Sequence, residues 1–191
     1  MSTASIPHAP IAMTGPLTRG DFLMQLYWFS DYLSVPDVRG ITGLSRLTRM
    51  ALILGEESGL AREIDPWFTF HRTPSGGIVS QDVWSGHLAL RAYQVIQPLP
   101  SLDPMPEEEL SERRYLIENV IPPAERREYP MPSGYERDVL TNKGTFFAAK
   151  REDQTTQRRV EILKQAAPLS ELPLVDLTAR ALPLLREVGV R

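Results

Sequence analysis

The chain contains no cysteine among its 191 residues, which excludes disulfide bonds, thiolate metal sites and a cysteine nucleophile. It has no apolar run approaching the roughly 18 residues that span a bilayer, and we therefore expect no membrane partner. Residues 1–16 also lack a basic segment followed by an apolar stretch. We therefore expect no signal peptide and a cytoplasmic location.

Patterns that would indicate an enzyme are also missing from the sequence. His8, His71 and His87 have no second histidine at metal-ligand spacing. His87 falls on the apolar side of a predicted helix, which favours a core or interface residue. Gly76 and Gly77 lack the following lysine of a phosphate-binding loop. We predict no enzymatic activity, no cofactor and no metal site.

The composition is that of a globular protein, because 42% of the residues are hydrophobic and the length of 191 residues fits one core. Residues 1–16 are small and proline-rich without a helical or strand period, and we interpret them as a flexible arm. Residues 17–191 are predicted to form a single domain, with a helical C-terminal extension at about 150–188.

Apolar spacing predicts helices in the first half of that domain. The first follows a capping box formed by Thr18 and Asp21, and its apolar face is broad. The second is predicted to be capped by Thr42 and ended by Gly59, with Arg46 and Arg49 off its apolar stripe and solvated. Ser80 is predicted to cap the third helix. The second helix is followed by an aromatic segment, residues 67–70, which favours a short strand.

The second half adds a strand at 95–97, a helix that begins with Glu107, Glu108 and Glu109, and a proline-rich loop at 122–134. A strand is predicted at 135–140. Leu140 would then enter the core, Thr141 would cap the following helix, and Gly144 would allow a close approach. Pro173 and Pro183 would mark the first turn and the kink or end of the last helix.

The order of these elements predicts an α+β, mostly helical protein. We expect a winged helix-turn-helix core from about 43 to 147, with a small antiparallel sheet and flanking N- and C-terminal helices. The strand at 135–140 would be the returning strand of the wing.

Several segments together resemble the YwgA-like winged helix-turn-helix family, which is related to the Panacea antitoxin domain. The resemblance spans roughly residues 43–182. It rests on the segments 44–54 (LSRLTRMALIL), 68–70 (FTF), 140–144 (LTNKG) and 171–177 (ELPLVDL). The turn at 73–77 and the proline-rich linker depart from the family pattern. The resemblance implies a winged-helix fold, with either DNA or a toxin protein as the binding partner.

Charge distribution makes double-stranded DNA the first predicted ligand of a cytoplasmic transcription regulator. Residues 1–112 contain 7 basic and 13 acidic side chains, whereas residues 113–164 contain 11 basic and 8 acidic ones. Phosphate contacts would come from the region of the wing, and the third helix would add fewer contacts. The predicted nucleic-acid-binding residues are Arg137, Lys143, Lys150, Arg151, Arg91 and Gln81. An ordinary solvated surface is the alternative interpretation of these charges.

The second hypothesis is a protein-binding module, antitoxin-like or an adaptor, that uses the same fold without nucleic acid. The acidic first half and the cation-poor third helix favour it. The exposed part of the third helix and the turn at 73–77 would then meet the partner. A homodimer through the first or last helix is a further possibility.

Overall fold

The structure is a computed structural model that describes residues 17–33, 40–100, 104–132 and 134–185. The predicted flexible arm at 1–16 and the final residues 186–191 lie outside the described part. The helices are α1 (Arg19–Leu33), α2 (Leu44–Ser58), α3 (Gln81–Ala92), α4 (Glu107–Tyr115), α5 (Asn142–Asp153), α6 (Gln157–Leu163), α7 (Ala166–Glu171) and α8 (Leu174–Leu185). The strands are β1 (Ile41–Thr42), β2 (His71–Arg72), β3 (Ile78–Val79), β4 (Ile96–Pro100) and β5 (Glu136–Leu140).

The strands form two small antiparallel sheets. One has the order β1-β5-β4, with Ile41 opposite Asp138 and Ile96 opposite Leu140. The other is the β2–β3 hairpin, whose turn is residues 73–77. The prediction of a mostly helical α+β protein with a small antiparallel sheet is therefore confirmed.

Several helices begin or end at the capping residues that the sequence predicts. The Ser80 hydroxyl accepts a hydrogen bond from the Val83 N–H at the start of α3, and the Thr141 hydroxyl accepts one from Gly144 at the start of α5. Thr18 and Asp21 form the predicted capping box. Gly59 ends α2 in the left-handed conformation. These local signals depend on neighbouring residues alone, which is why the sequence reveals them.

Two local predictions are wrong. Gly43, with φ 81°, and not Thr42, occupies the cap position of α2. The aromatic residues 67–70 are not paired as a strand, because the β2 pairing begins at His71. Trp67, Phe68 and Phe70 instead pack their rings together and against Phe22 of α1.

The core lies around α1 and α2, whose apolar faces are almost wholly buried. The C-terminal helices complete it, since α7 packs against α1 and α8 against α2. Leu177, Ala181 and Leu185 are the buried residues of α8. Pro183 does not end α8, which continues to Leu185. No helix in the described part of the chain is long and apolar enough to cross a membrane.

Candidate interaction surface

Arg91, one of the predicted DNA ligands, is engaged within the protein. Its guanidinium forms two hydrogen bonds with Asp138 of β5, Nε to Oδ1 at 2.7 Å and Nη2 to Oδ2 at 2.9 Å. It also pairs with Glu136 at 2.7 Å. Two carboxylates therefore neutralise this cation and join α3 to β5.

Gln81, the other predicted ligand on α3, is also bonded within the protein. Its amide nitrogen lies 3.0 Å from Oε2 of Glu125 and 3.3 Å from the hydroxyl of Tyr129. The same Tyr129 hydroxyl lies 2.6 Å from Oγ of Ser85, and its ring packs edge-on against Trp84. We call residues 104–132 the covering segment, because they occupy this side of α3.

The four predicted phosphate ligands near the wing lie in different environments. Arg137 is on β5, with Nε 3.3 Å from Oγ1 of Thr42. Arg151 is mostly buried and pairs with Asp21 of α1 at 3.0 Å. Lys143 and Lys150 are exposed on α5, and Lys143 donates a hydrogen bond to the Tyr93 carbonyl at 2.7 Å. The structure thus brings only Lys143 and Lys150 to one exposed helix face.

The turn at 73–77 packs against Glu112 of the covering segment. Thr73 and Gly77 are buried, and a Cβ at Gly77 would lie 2.1 Å from Oε1 of Glu112. Pro74 and Ser75 are exposed at the tip of the turn. The covering segment therefore contacts both the turn and one side of α3.

A buried charge cluster holds the covering segment in place, and the sequence gives no sign of it. Arg49 of α2 has no exposed surface, which contradicts the prediction that it is solvated. It donates hydrogen bonds to Glu112 and Glu108 of α4, to Thr178 of α8 and to the Ser45 carbonyl. Burial of an arginine requires such partners.

Arg46, also predicted to be solvated, is half-buried. Its guanidinium donates hydrogen bonds to the carbonyls of Ser170 and Leu172, at the end of α7. The burial lowers the pKa of Arg46. Arg46 therefore joins α2 to the C-terminal helices.

Glu109 supplies the cap that α2 lacks. Its two carboxylate oxygens accept hydrogen bonds from the Leu44 and Ser45 N–H groups, both at 2.9 Å. Arg113 pairs with the same carboxylate at 2.7 Å. A carboxylate at a helix N-terminus is favoured by the free N–H groups and by the helix dipole. The acidic residues predicted to begin α4 thus also stabilise a second helix.

His87 is buried, as predicted. Its Nδ1 shares a hydrogen bond of 3.0 Å with the Tyr27 hydroxyl, and its Nε2 lies 3.7 Å from Asp138. Burial, with a smaller effect from Arg91 and Arg113, lowers the pKa of His87 to about 3. The imidazole is therefore neutral at pH 7, and it joins α1, α3 and β5 inside the core. No group of three His, Asp or Glu side chains in the described residues is placed to hold a metal ion.

Three large side chains are exposed where the end of α3 meets α5. Tyr93 is 70% exposed, Phe146 65% and Phe147 43%. The hydrogen bond from Lys143 to the Tyr93 carbonyl joins the two helices one turn before the phenylalanines. We call Tyr93, Phe146 and Phe147 the aromatic surface. The rings of Phe146 and Phe147 lie 5.8 Å apart, and exposed aromatic residues of this kind are typical of interaction sites.

Two grooves lie near the end of α3, and Tyr93 lines the first of them. One has a volume of about 440 Å³ and lies between the first turn of α1 and the open side of α3, at Gly86, Ala89 and Leu90. The other, of about 590 Å³, is polar and lies between β4 and the start of α5. In the first groove, the small residues Gly86 and Ala89 of α3 leave space for a partner side chain. The aromatic surface therefore adjoins one groove through Tyr93, and Lys143 lines the other.

Comparison of the chain with known protein families, curated proteins and solved structures gives no match. Any inference about function therefore depends on the fold class, which is mostly helical α+β with small antiparallel sheets, and on the geometry of the surfaces described above.

Proposed function

We propose that this chain is a protein-binding module built on a winged-helix arrangement. The order α1, β1, α2, α3, β4, β5 and the sheet order β1-β5-β4 support that arrangement, because the first strand pairs with the last strand of the wing. In this assignment α3 is the recognition helix. The covering segment replaces the tip of the wing.

The aromatic surface carries the proposal of a protein partner. Large aromatic side chains at the centre of an interface contribute most to binding energy, and here three of them are exposed. Tyr93 also lines the groove beside α3. A DNA-reading helix instead presents free cations and amides to the groove. Asp138 and Glu136 pair with Arg91. Glu125 and Tyr129 form hydrogen bonds with Gln81. Helix α3 therefore presents neither of these two side chains freely.

DNA is the second candidate, and one observation favours it. Lys143 and Lys150 are exposed and have no carboxylate oxygen within 4.0 Å among the described residues. Contact with a phosphate backbone requires cations of this kind. A contact through two lysines alone would be non-specific and strongly dependent on salt.

A comparison of three bait proteins in extracts of the native host tests the proposal. The baits are the native chain, the double variant Phe146→Ser/Phe147→Ser, and the control Val175→Ser, which changes an exposed apolar residue on α8. We expect a stoichiometric protein that survives nuclease, that is retained by the control and that is lost from the double variant. Equal retention by all three baits, or recovery of DNA alone, would contradict the proposal.

A gel-shift measurement at about 50 mM salt, where non-specific phosphate contacts are strong, separates the two candidates. We expect no shift of double-stranded DNA. A shift that Lys143→Glu/Lys150→Glu abolishes would support the DNA candidate in place of the protein partner.

A further inference from the structure

One face of α5 carries a symmetric pattern of charge and aromatic side chains. Lys143, Phe146, Phe147 and Lys150 follow the spacing i, i+3, i+4 and i+7, which places them on one side of a helix. All four are exposed. We call these four residues the α5 stripe.

The opposite face of α5 fixes the stripe toward solvent. Gly144 and Ala148 are buried, and a Cβ at Gly144 would lie 2.0 Å from the Val95 carbonyl oxygen. The Ala148 carbonyl accepts a hydrogen bond from Gln25 of α1 at 3.0 Å, and Arg151 pairs with Asp21. These contacts exclude rotation of the helix, so the stripe faces outward in the folded protein.

The charges of the stripe are not compensated within the described part of the chain. Several arginines in the described part of the chain pair with a carboxylate, as Arg19, Arg91 and Arg113 do. Lys143 and Lys150 have no carboxylate oxygen within 4.0 Å among the described residues. Two ammonium groups without a carboxylate partner therefore lie on either side of two exposed phenyl rings, and that of Lys143 donates a hydrogen bond to the Tyr93 carbonyl.

We propose that the α5 stripe binds an acidic amphipathic helix of a partner protein. This inference rests on the proposed function and names the chemistry of the partner. Seven residues of helix cover about 10 Å, so two carboxylates seven residues apart on the partner would reach both lysines. Apolar side chains between those carboxylates would pack on Phe146 and Phe147. The lysines would provide orientation and specificity, and the phenyl rings would provide most of the affinity.

Selection from a library of displayed random peptides tests this chemistry. Peptides of about 16 residues allow four helical turns. We expect the selected peptides to carry Asp or Glu seven residues apart, with apolar residues between them. Their affinity, measured by fluorescence anisotropy on synthetic peptides, should fall at least about tenfold for Phe146→Ser/Phe147→Ser, as for a typical aromatic contact. Val175→Ser is the matched control and should not change it.

Charge reversal provides the sharper test. Lys143→Glu/Lys150→Glu should lose the acidic peptides and select basic ones with the same spacing, because specificity depends on repulsion as well as attraction. Raised salt should weaken the native interaction, because dissolved ions screen the attraction between the lysines and the carboxylates of the peptide. An unchanged preference after charge reversal would overturn the inference.

The outcomes also separate this inference from the proposed function. Selected peptides that need both phenylalanines but carry no acidic pattern would overturn the inference and leave the protein-binding function in place. Peptides that bind Phe146→Ser/Phe147→Ser as well as the native chain would overturn both. Two other ligands are compared with the selected peptides: vesicles of phosphatidylserine and phosphatidylcholine, and single-stranded DNA. If the α5 stripe binds either of them more tightly than any selected peptide, its ligand belongs to another class and the inference is overturned.

Discussion

At the scale of single residues, Arg49 shows how a charge can be buried without loss of the fold. Its guanidinium reaches two carboxylates, a hydroxyl and a backbone carbonyl, and it has no contact with solvent. The Glu112 carboxylate in turn accepts hydrogen bonds from Ser45 Oγ and the Ile78 N–H. Each partner is therefore stable inside the protein only while the other is present.

Replacement of Arg49 should destabilise the protein strongly. Arg49→Met leaves Glu112 buried without its counter-ion, and we expect a loss of about 3 to 5 kcal/mol in the free energy of unfolding. Urea titration followed by circular dichroism measures it. Arg180→Met is the control, because Arg180 forms an exposed pair with Glu57 and should cost less than about 1 kcal/mol. Equal effects of the two substitutions would contradict the assigned role of Arg49.

His87 should make the stability of the protein depend on pH. The unfolded chain binds a proton at the ordinary histidine pKa of 6.5, whereas the folded chain binds it only near pH 3. The contribution of a neutral His87 is therefore complete above pH 6.5 and is lost as the pH falls toward 3, by about 1.4 kcal/mol per pH unit. His87→Asn should remove that slope, as measured by urea titration between pH 5 and 7. If the free energy of unfolding depends on pH in the same way for the native chain and for His87→Asn, the assigned role of His87 is wrong.

At the scale of elements, the position of α5 depends on Gly144. This residue lies where the first turn of α5 meets the Val95 carbonyl, between α3 and β4. Contact at this point also brings Lys143 to the Tyr93 carbonyl. The aromatic surface and the α5 stripe therefore share one packing contact.

Gly144→Ala should disturb both surfaces. An added Cβ would lie 2.0 Å from the backbone oxygen of Val95, and relief of that overlap typically costs about 1 to 3 kcal/mol. We expect a lower urea midpoint and weaker binding of any peptide that the native α5 stripe selects. Gly134→Ala is the control, because a Cβ there meets no atom within 4 Å. If both variants are as stable as the native chain, the proposed contact is wrong.

At the scale of the whole molecule, the sequence predicts what neighbouring residues determine. Ser80, Thr141 and Gly59 mark helix ends through bonds within a few residues, so their positions were predicted correctly. Arg49 pairs with Glu112, 63 residues further along the chain. The spacing of apolar and polar residues near Arg49 cannot reveal such a pairing. The same holds for Glu109 as the cap of α2. Of the predicted ligands, Lys143 and Lys150 are exposed on one face, whereas long-range partners engage Arg91, Gln81 and Arg151.

The long-range cap of α2 also sets the order in which a growing chain can fold. Synthesis proceeds from the N-terminus, so α2 leaves the ribosome before Glu109 exists to accept its first N–H groups. Strand β1 is then also without its partner, since β5 begins only at Glu136. A nascent chain that ends before α4 therefore holds Arg49 without a carboxylate from α4. Completion of the core during translation must wait until residues beyond 140 have emerged.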